Sequence, residues 1–315
     1  MTHLFHASVT KPRQKPAMQG GLQQARGESG NGLDEAARAI IADAQSALTA
    51  ADLSDGERVH AVRRAFKRWG ALLRLLRRPV EAAEAMRVEA RELMRQLSTA
   101  RDQQGALDAL DDLAKGDAPL PPTSLKTMRT RVTALRDAAE AAALTVALHD
   151  RIGAYLDKAT STIEAWALPQ IPFDAVADAL TTTYRRARQL VPENWSKADP
   201  EHLHELRRRV VEHRHQMELI EPLWPRFAKM WGDEAQRLRN QLGACQDLAV
   251  LSGFLAPHRP LAPWRSRVTP AIAARRTAHL RSAARLAARL FAEKPSAFRT
   301  RNGALWSARK QSVDL

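Results

Sequence analysis

Two stretches of this 315-residue chain open with a histidine followed three residues later by an arginine: Val59-His60-x-x-Arg63 and Leu203-His204-x-x-Arg207. The first stretch is the more informative. At 100° per residue, Val62, Phe66, Trp69, Leu73 and Leu76 share one apolar face. His60, Arg63, Arg64, Lys67, Arg74 and Arg78 fall on the opposite face, and Arg68 extends the basic block. Arg63 and Lys67 stand four apart with no acid between them, a spacing at which like charges repel. Such a stripe calls for an anionic partner. A guanidinium is planar, always charged and able to bridge two oxygens. A row of arginines at helical spacing can therefore follow a chain of phosphates.

The pattern recurs. On the second wheel His204, Arg207, Arg208 and His215 share a face, with Arg214 nearby, while Leu206, Val210, Met217 and Ile220 point the other way. Asp102 lies 42 residues after His60, and Asp247 lies 43 after His204. Beyond each acid comes a further basic segment: Lys126, Arg129, Arg131 and Arg136 in the first half, Arg275, Arg276, Arg281, Arg285 and Arg289 in the second. Three matched features in the same order predict an internal duplication that pairs two basic faces.

Other chemistries are weighed on the same residues. His60 and His204 suit either a hydrogen-bond donor to phosphate or a buried imidazole that orients an arginine. Their basic neighbours disfavour a metal, and neither has a partner four residues on suited to zinc. Asp102 and Asp247 are read as acceptors that hold a helix end or an arginine, rather than as a general acid and base. No nucleophile elbow, P-loop or glycine-rich phosphate cradle occurs. Cys245, the one cysteine, sits in an apolar run and reads as a buried thiol, in keeping with a reducing cytoplasm. Trp69, Trp166 and Trp231 read as core anchors, not as a stacking platform for bases.

The elements that must position these residues are helices. The chain is 44% hydrophobic, with sparse glycine and two tyrosines, and no run of 18 apolar residues spans a membrane. A basic n-region followed by an apolar core is also lacking, so no secretory signal is expected. The net charge of +14 costs self-repulsion that an acidic partner would relieve. Residues 1–33 read as a disordered basic arm. A first helix runs from Asp34, as N-cap, to about Ala51. Ser54 and Glu57 form a capping box for the basic helix up to Arg78. Helices follow at 81–97 and 102–113, then a loop at 116–122. A long stretch at 125–166 is expected to split near His149–Gly153. Pro169 and Pro172 divide an all-α chain into halves at about 34–168 and 173–310, with a tail at 311–315.

The segments VHAVRRAFKRWGALLRLLR and LHELRRRVVEHRHQMEL, with ARD before QQGALDAL, LRNQLGACQDLAVL and RLFAEKPSAFRTRNGALW, resemble the conserved histidine alpha-helical domain family, CHAD. The likeness covers about residues 34–310. It implies two similar helical bundles about a pseudo-two-fold axis, with basic faces lining a shared groove. The implied ligand is inorganic polyphosphate, and the implied location is the polyphosphate granule of a bacterial cytoplasm. Some relatives carry a triphosphatase domain, whose alternating Glu-x-Glu-x-Lys strand is not found here. Seven and eight positions after each histidine the family has basic residues. Lys67 and Arg68 match, whereas Val211 and Glu212 depart although Arg214 remains, so the second half is expected either to bind more weakly or to lean on Arg207, Arg208 and the late arginines.

The expected polyphosphate contacts are His60, Arg63, Arg64, Lys67, Arg68, Arg74, Arg129, Arg136, His204, Arg207, Arg208, Arg214, Arg276, Arg281 and Arg285. Asp102 and Asp247 orient them, with no metal, cofactor or catalytic residue. The alternatives are an enzyme acting on phosphate chains and a nucleic-acid-associated basic protein. Oligomeric state is not fixed by these patterns.

Overall fold

The computed structural model describes residues 32–97, 101–116, 120–140 and 144–313, with the side chains of 140 and 310–313 outside the description. Among the described residues there are eleven α-helices and no strand. They are α1 (Leu33–Thr49), α2 (Asp55–Leu76), α3 (Ala82–Gln96), α4 (Arg101–Leu113), α5 (Pro122–Glu140), α6 (Val146–Ala165), α7 (Phe173–Gln189), α8 (Pro200–Leu219), α9 (Pro225–Phe254), α10 (Arg265–Leu290) and α11 (Pro295–Val313). None is long and apolar enough to cross a membrane. The arm expected at 1–33 lies almost wholly outside the described residues.

Local chemistry sets the helix ends. The capping box at Ser54 is present: the Ser54 N–H donates to Glu57 Oε2 (3.0 Å), and the Glu57 N–H donates to Ser54 Oγ (3.4 Å). At α8, Asp199 accepts from the His202 N–H at 2.8 Å, and Pro200 supplies the preset φ of a first helical residue. Two expected boundaries move. Gly32, not Asp34, is the N-cap of α1, with φ 69°, a backbone conformation that glycine adopts without strain. Asp34 instead lies in the first turn and accepts from Arg38 at 3.0 Å. The long stretch breaks between Glu140 and Val146, ahead of His149–Gly153, because the Thr145 hydroxyl accepts from the Leu148 N–H and starts α6 there. Ile152 and Tyr155 then pack into the core and hold the helix through Gly153.

Two hydrophobic cores result, and each draws on both halves of the chain. The larger joins α1, α2, α3 and α6 to α7, α8, the start of α9, the end of α10 and Phe298 of α11. Its polar groups are satisfied across helices. Trp69 Nε1 donates to Tyr155 Oη (2.7 Å), which donates in turn to the Met86 carbonyl (3.0 Å). The smaller core joins α4 and α5 to the end of α9 and the start of α10, through Leu110, Met128, Leu248 and Val268 among others. α9 therefore runs through both. Trp69, Trp231 and Cys245 are buried, as their sequence context suggested, and burial pushes the Cys245 thiol up to about 12.

His213 sits inside the larger core, completely buried among Tyr184, Trp231, Phe291 and Phe298. Trp231 Nε1 donates to its Nε2 at 3.0 Å, so the ring is neutral, and Nδ1 is buried without a partner. Burial, helped by Arg301, drives its pKa down to about 3. Below the ordinary histidine value the unfolded chain binds a proton that the folded chain refuses, so stability falls with pH from about 6.5 toward 3. We expect His213→Phe to lower stability at pH 7, through the lost Trp231 hydrogen bond, by about 1 kcal/mol. It should also lessen the acid-induced loss by up to a few kcal/mol, read by urea denaturation at pH 7 and pH 4.

Candidate polyanion-binding groove

α2 and α8 cross where the buried Gln216 amide donates to the Ala71 carbonyl at 3.2 Å. α4 and α9 pack against each other alongside this crossing. Side chains from all four helices meet there. α2 contributes His60, Arg63 and Lys67, α4 contributes Arg101, α8 contributes Arg207, and α9 contributes Arg239 and Asp247; each lies within electrostatic reach of others in the set. Two glycines permit the close approach. A Cβ at Gly105 of α4 would lie 3.0 Å from Asp247 Oδ1, and a Cβ at Gly243 of α9 would lie 3.3 Å from Arg207 Nε.

The charges are not balanced from within. Arg207 Nε is buried without a hydrogen-bond partner, and neither Lys67 nor Arg101 forms an ion pair among the described residues. Arg63 is half-buried and donates from Nη1 to the carbonyls of Met94 (3.1 Å) and Leu97 (3.0 Å), which caps the C-terminal end of α3. The titration behaviour follows. Part of Lys67 is open to solvent, yet desolvation and then the fields of Arg63, Arg101, Arg207 and Arg239 pull its ammonium down to about 7. Burial takes Arg207 and Arg63 down to about 10, with Arg101 contributing to both. His60 is lowered by burial, then by Lys67, Arg64 and Arg63. Asp247 is raised to about 6, because desolvation and Asp108 outweigh Arg207, Arg101 and Arg239.

The remaining expected contacts lie elsewhere or are already engaged. Arg74 pairs with Glu212, which also accepts from Arg209 at 2.9 Å. Arg68 pairs with Asp43 (2.6 Å), Arg208 with Glu205 (2.9 Å), Arg214 with Glu218 (3.2 Å) and Arg129 with Asp111 (2.6 Å). Arg136 reaches Asp137 and Gln104 from α5. Arg276 donates to the Ala198 carbonyl at 2.7 Å. Arg281 and Arg285 are exposed on α10, and Arg64 is exposed on α2. His204 is half-buried with Nδ1 2.7 Å from Gln246 Oε1. Asp102 is exposed at the start of α4, in a setting unlike that of Asp247. His215 does not join the basic face: it is buried, with Nδ1 2.8 Å from Glu218, because the crossing of α2 and α8 covers that side of the helix.

Two residues of the groove, Arg101 and Arg239, are absent from the expected contacts. A signal for them exists. Arg101-Asp-Gln-Gln-Gly105-Ala and Arg239-Asn-Gln-Leu-Gly243-Ala share the pattern Arg-x-Gln-x-Gly-Ala, and its glycines are the two that admit Asp247 and Arg207. Among the described residues no group of three or more His, Cys, Asp or Glu could hold a metal. What the cluster can do is bind several anionic oxygens at once, through cationic donors gathered from four helices.

No curated protein and no solved structure matches the chain. The family model for the CHAD domain matches residues 32–256, from the N-cap of α1 to just past the end of α9, and all four groove-forming helices fall inside that span. The chain belongs to the CHAD-domain family.

Proposed function

We propose that the groove binds inorganic polyphosphate and performs no catalysis. The observation that carries this reading is the meeting of Arg63, Lys67, Arg101, Arg207 and Arg239 from four helices beside the carboxylate of Asp247. Such a cluster is costly when empty, and a dense chain of phosphates relieves it. Membership of the CHAD-domain family supports the same ligand class. His60 serves as an additional donor at the edge of the groove, and Arg64 and Arg214 extend its field. The exposed Arg281 and Arg285 of α10 offer further contacts to a long chain. On this reading the protein works in the cytoplasm at the surface of polyphosphate granules.

We also propose that the chain arose by duplication, with halves at about 34–168 and 173–310. The 144-residue offset that relates His60 to His204 carries Arg68 to Glu212 and Arg74 to Glu218. Arg74 pairs with Glu212, and the field of Arg68 acts on Glu218, a reciprocal arrangement of the kind a two-fold relation produces.

The decisive experiment compares two double variants. Arg101→Gln with Arg239→Gln removes two groove cations, and Arg129→Gln with Arg136→Gln removes two that have acidic partners. Each lost charge-assisted contact costs about 1.5–3 kcal/mol, so the first variant should bind polyphosphate at least about a hundredfold more weakly. The second should bind within about threefold of the parent protein. Equal losses in titration calorimetry would reject the groove.

Salt and chain length give an independent reading. Each contact with a dense polyanion releases a condensed counterion, so log affinity should fall against log salt with a slope of about 4 or more, if polyphosphate follows nucleic acids. Affinity should rise with chain length and then level off, while orthophosphate and ATP compete poorly. A shallow slope with length-independent affinity would point to a single phosphate pocket instead. Incubation with polyphosphate or nucleoside triphosphates and Mg²⁺ should release no phosphate above a heat-killed control. Release that disappears on replacing Asp102 or Asp247 would establish an enzyme.

A further inference from the structure

Asp247 is the odd member of the groove. Its carboxylate lies against the α4 backbone at Gly105, where a methyl group would come within 3.0 Å of Oδ1. The charged groups that act on it are Arg207 from α8, Arg239 on its own α9, and Arg101 and Asp108 from α4. Arg101, Arg207 and Arg239 are also three of the four cations that act on Lys67, the fourth being its α2 neighbour Arg63. The ends of Asp247 and Lys67 thus face one shared group of guanidiniums. An anion that enters the group meets both of them.

Resting on the polyphosphate reading above, we propose that this capture is proton-coupled: Asp247 is the resident counter-anion of the empty groove, and the incoming polyanion displaces it while Asp247 and Lys67 take up protons. The sign follows from the geometry. Phosphates placed among Arg101, Arg207 and Arg239 repel the Asp247 carboxylate and favour its protonated form. The same phosphates offset the guanidiniums that discourage a charge on Lys67, and so favour its ammonium. Both groups stand poised near neutrality in the empty groove, Asp247 at about 6 and Lys67 at about 7. A group whose pKa rises on binding takes up a proton above its free value. Affinity should then fall as pH climbs through both values. If one group moves by about one pKa unit, the fall from pH 6 to pH 8 is about fivefold.

The test uses the full chain with two probes, long-chain polyphosphate and polyvinyl sulfonate, a strong-acid polymer that does not titrate in this range. Titration calorimetry at pH 7 in buffers of different ionisation enthalpy reads the protons taken up per bound complex. We expect net uptake with both probes. Asp247→Asn should bind more tightly than the parent protein at pH 8, with reduced uptake. Lys67→Arg, whose guanidinium stays charged, should lose the part of the pH dependence that lies above about pH 7. Binding without proton uptake would overturn this proposal and leave polyphosphate binding intact. Failure to bind either polymer would remove both. Uptake unchanged in both variants would also overturn the assignment, and if Asp247→Asn does not fold, Lys67→Arg decides it alone.

Discussion

Like charge gathered from four helices is the constraint on which the rest of this structure depends. Cations at neighbouring positions repel by on the order of 1–3 kcal/mol per pair at an effective dielectric of about 20. No helix surface would gather Arg63, Lys67, Arg101, Arg207 and Arg239 spontaneously. The backbones have to be fixed by something else, and the two cores do this. α2 buries Phe66, Trp69 and four leucines, and the bond from Gln216 to Ala71 sets its crossing with α8. α4 is held against α9 by the smaller core. Apolar burial of this extent stabilises at roughly 25 cal/mol per Å² and outweighs the repulsion it imposes.

The groove also shows how two charges of one type can differ. Arg63 and Arg207 occupy matching places in the two sequence motifs. Arg63 meets the end of α3, whose last carbonyls have no partner within the helix, and donates to two of them. Arg207 lies instead over Gly243, in the interior of the 30-residue α9, where the carbonyls are used by the helix itself. Its Nε is left buried and unbonded. Helix continuity, not side-chain identity, leaves the Nε of the second arginine without a backbone acceptor.

Much of this could be read in the sequence, and the limits have physical causes. Helix periodicity and the Ser54–Glu57 box defined α2 and its basic stripe, because both are local. His60, Arg63, Lys67 and Arg207 do converge. What was not legible was partnership across the chain. The wheel cannot show that Glu212 comes to Arg74, or that the crossing with α2 buries His215, because each outcome depends on a contact between distant helices. Arg101 and Arg239 belong to no basic run; the shared Arg-x-Gln-x-Gly-Ala pattern marks them, and the packing of α4 on α9 brings them to the groove. The long stretch divides ahead of Thr145, whose hydroxyl caps α6, and not at Gly153, because Ile152 and Tyr155 hold the helix in the core on either side of that glycine.

The smaller core has a consequence for how the protein is made. Its contributors are far apart in the chain: Ala106, Leu110, Met128 and Val132 come early, and Leu248, Leu251, Val268 and Ile272 come late. A ribosome adding about 5–20 residues per second delivers the second group on the order of ten seconds after the first. During that interval α4 and α5 carry an apolar face with nothing to cover it. Arg101 already has its place at the head of α4, but the groove does not exist until α9 has been synthesised and docked. The convergence of these cations is therefore a late event, absent from the nascent chain until α9 has docked on α4.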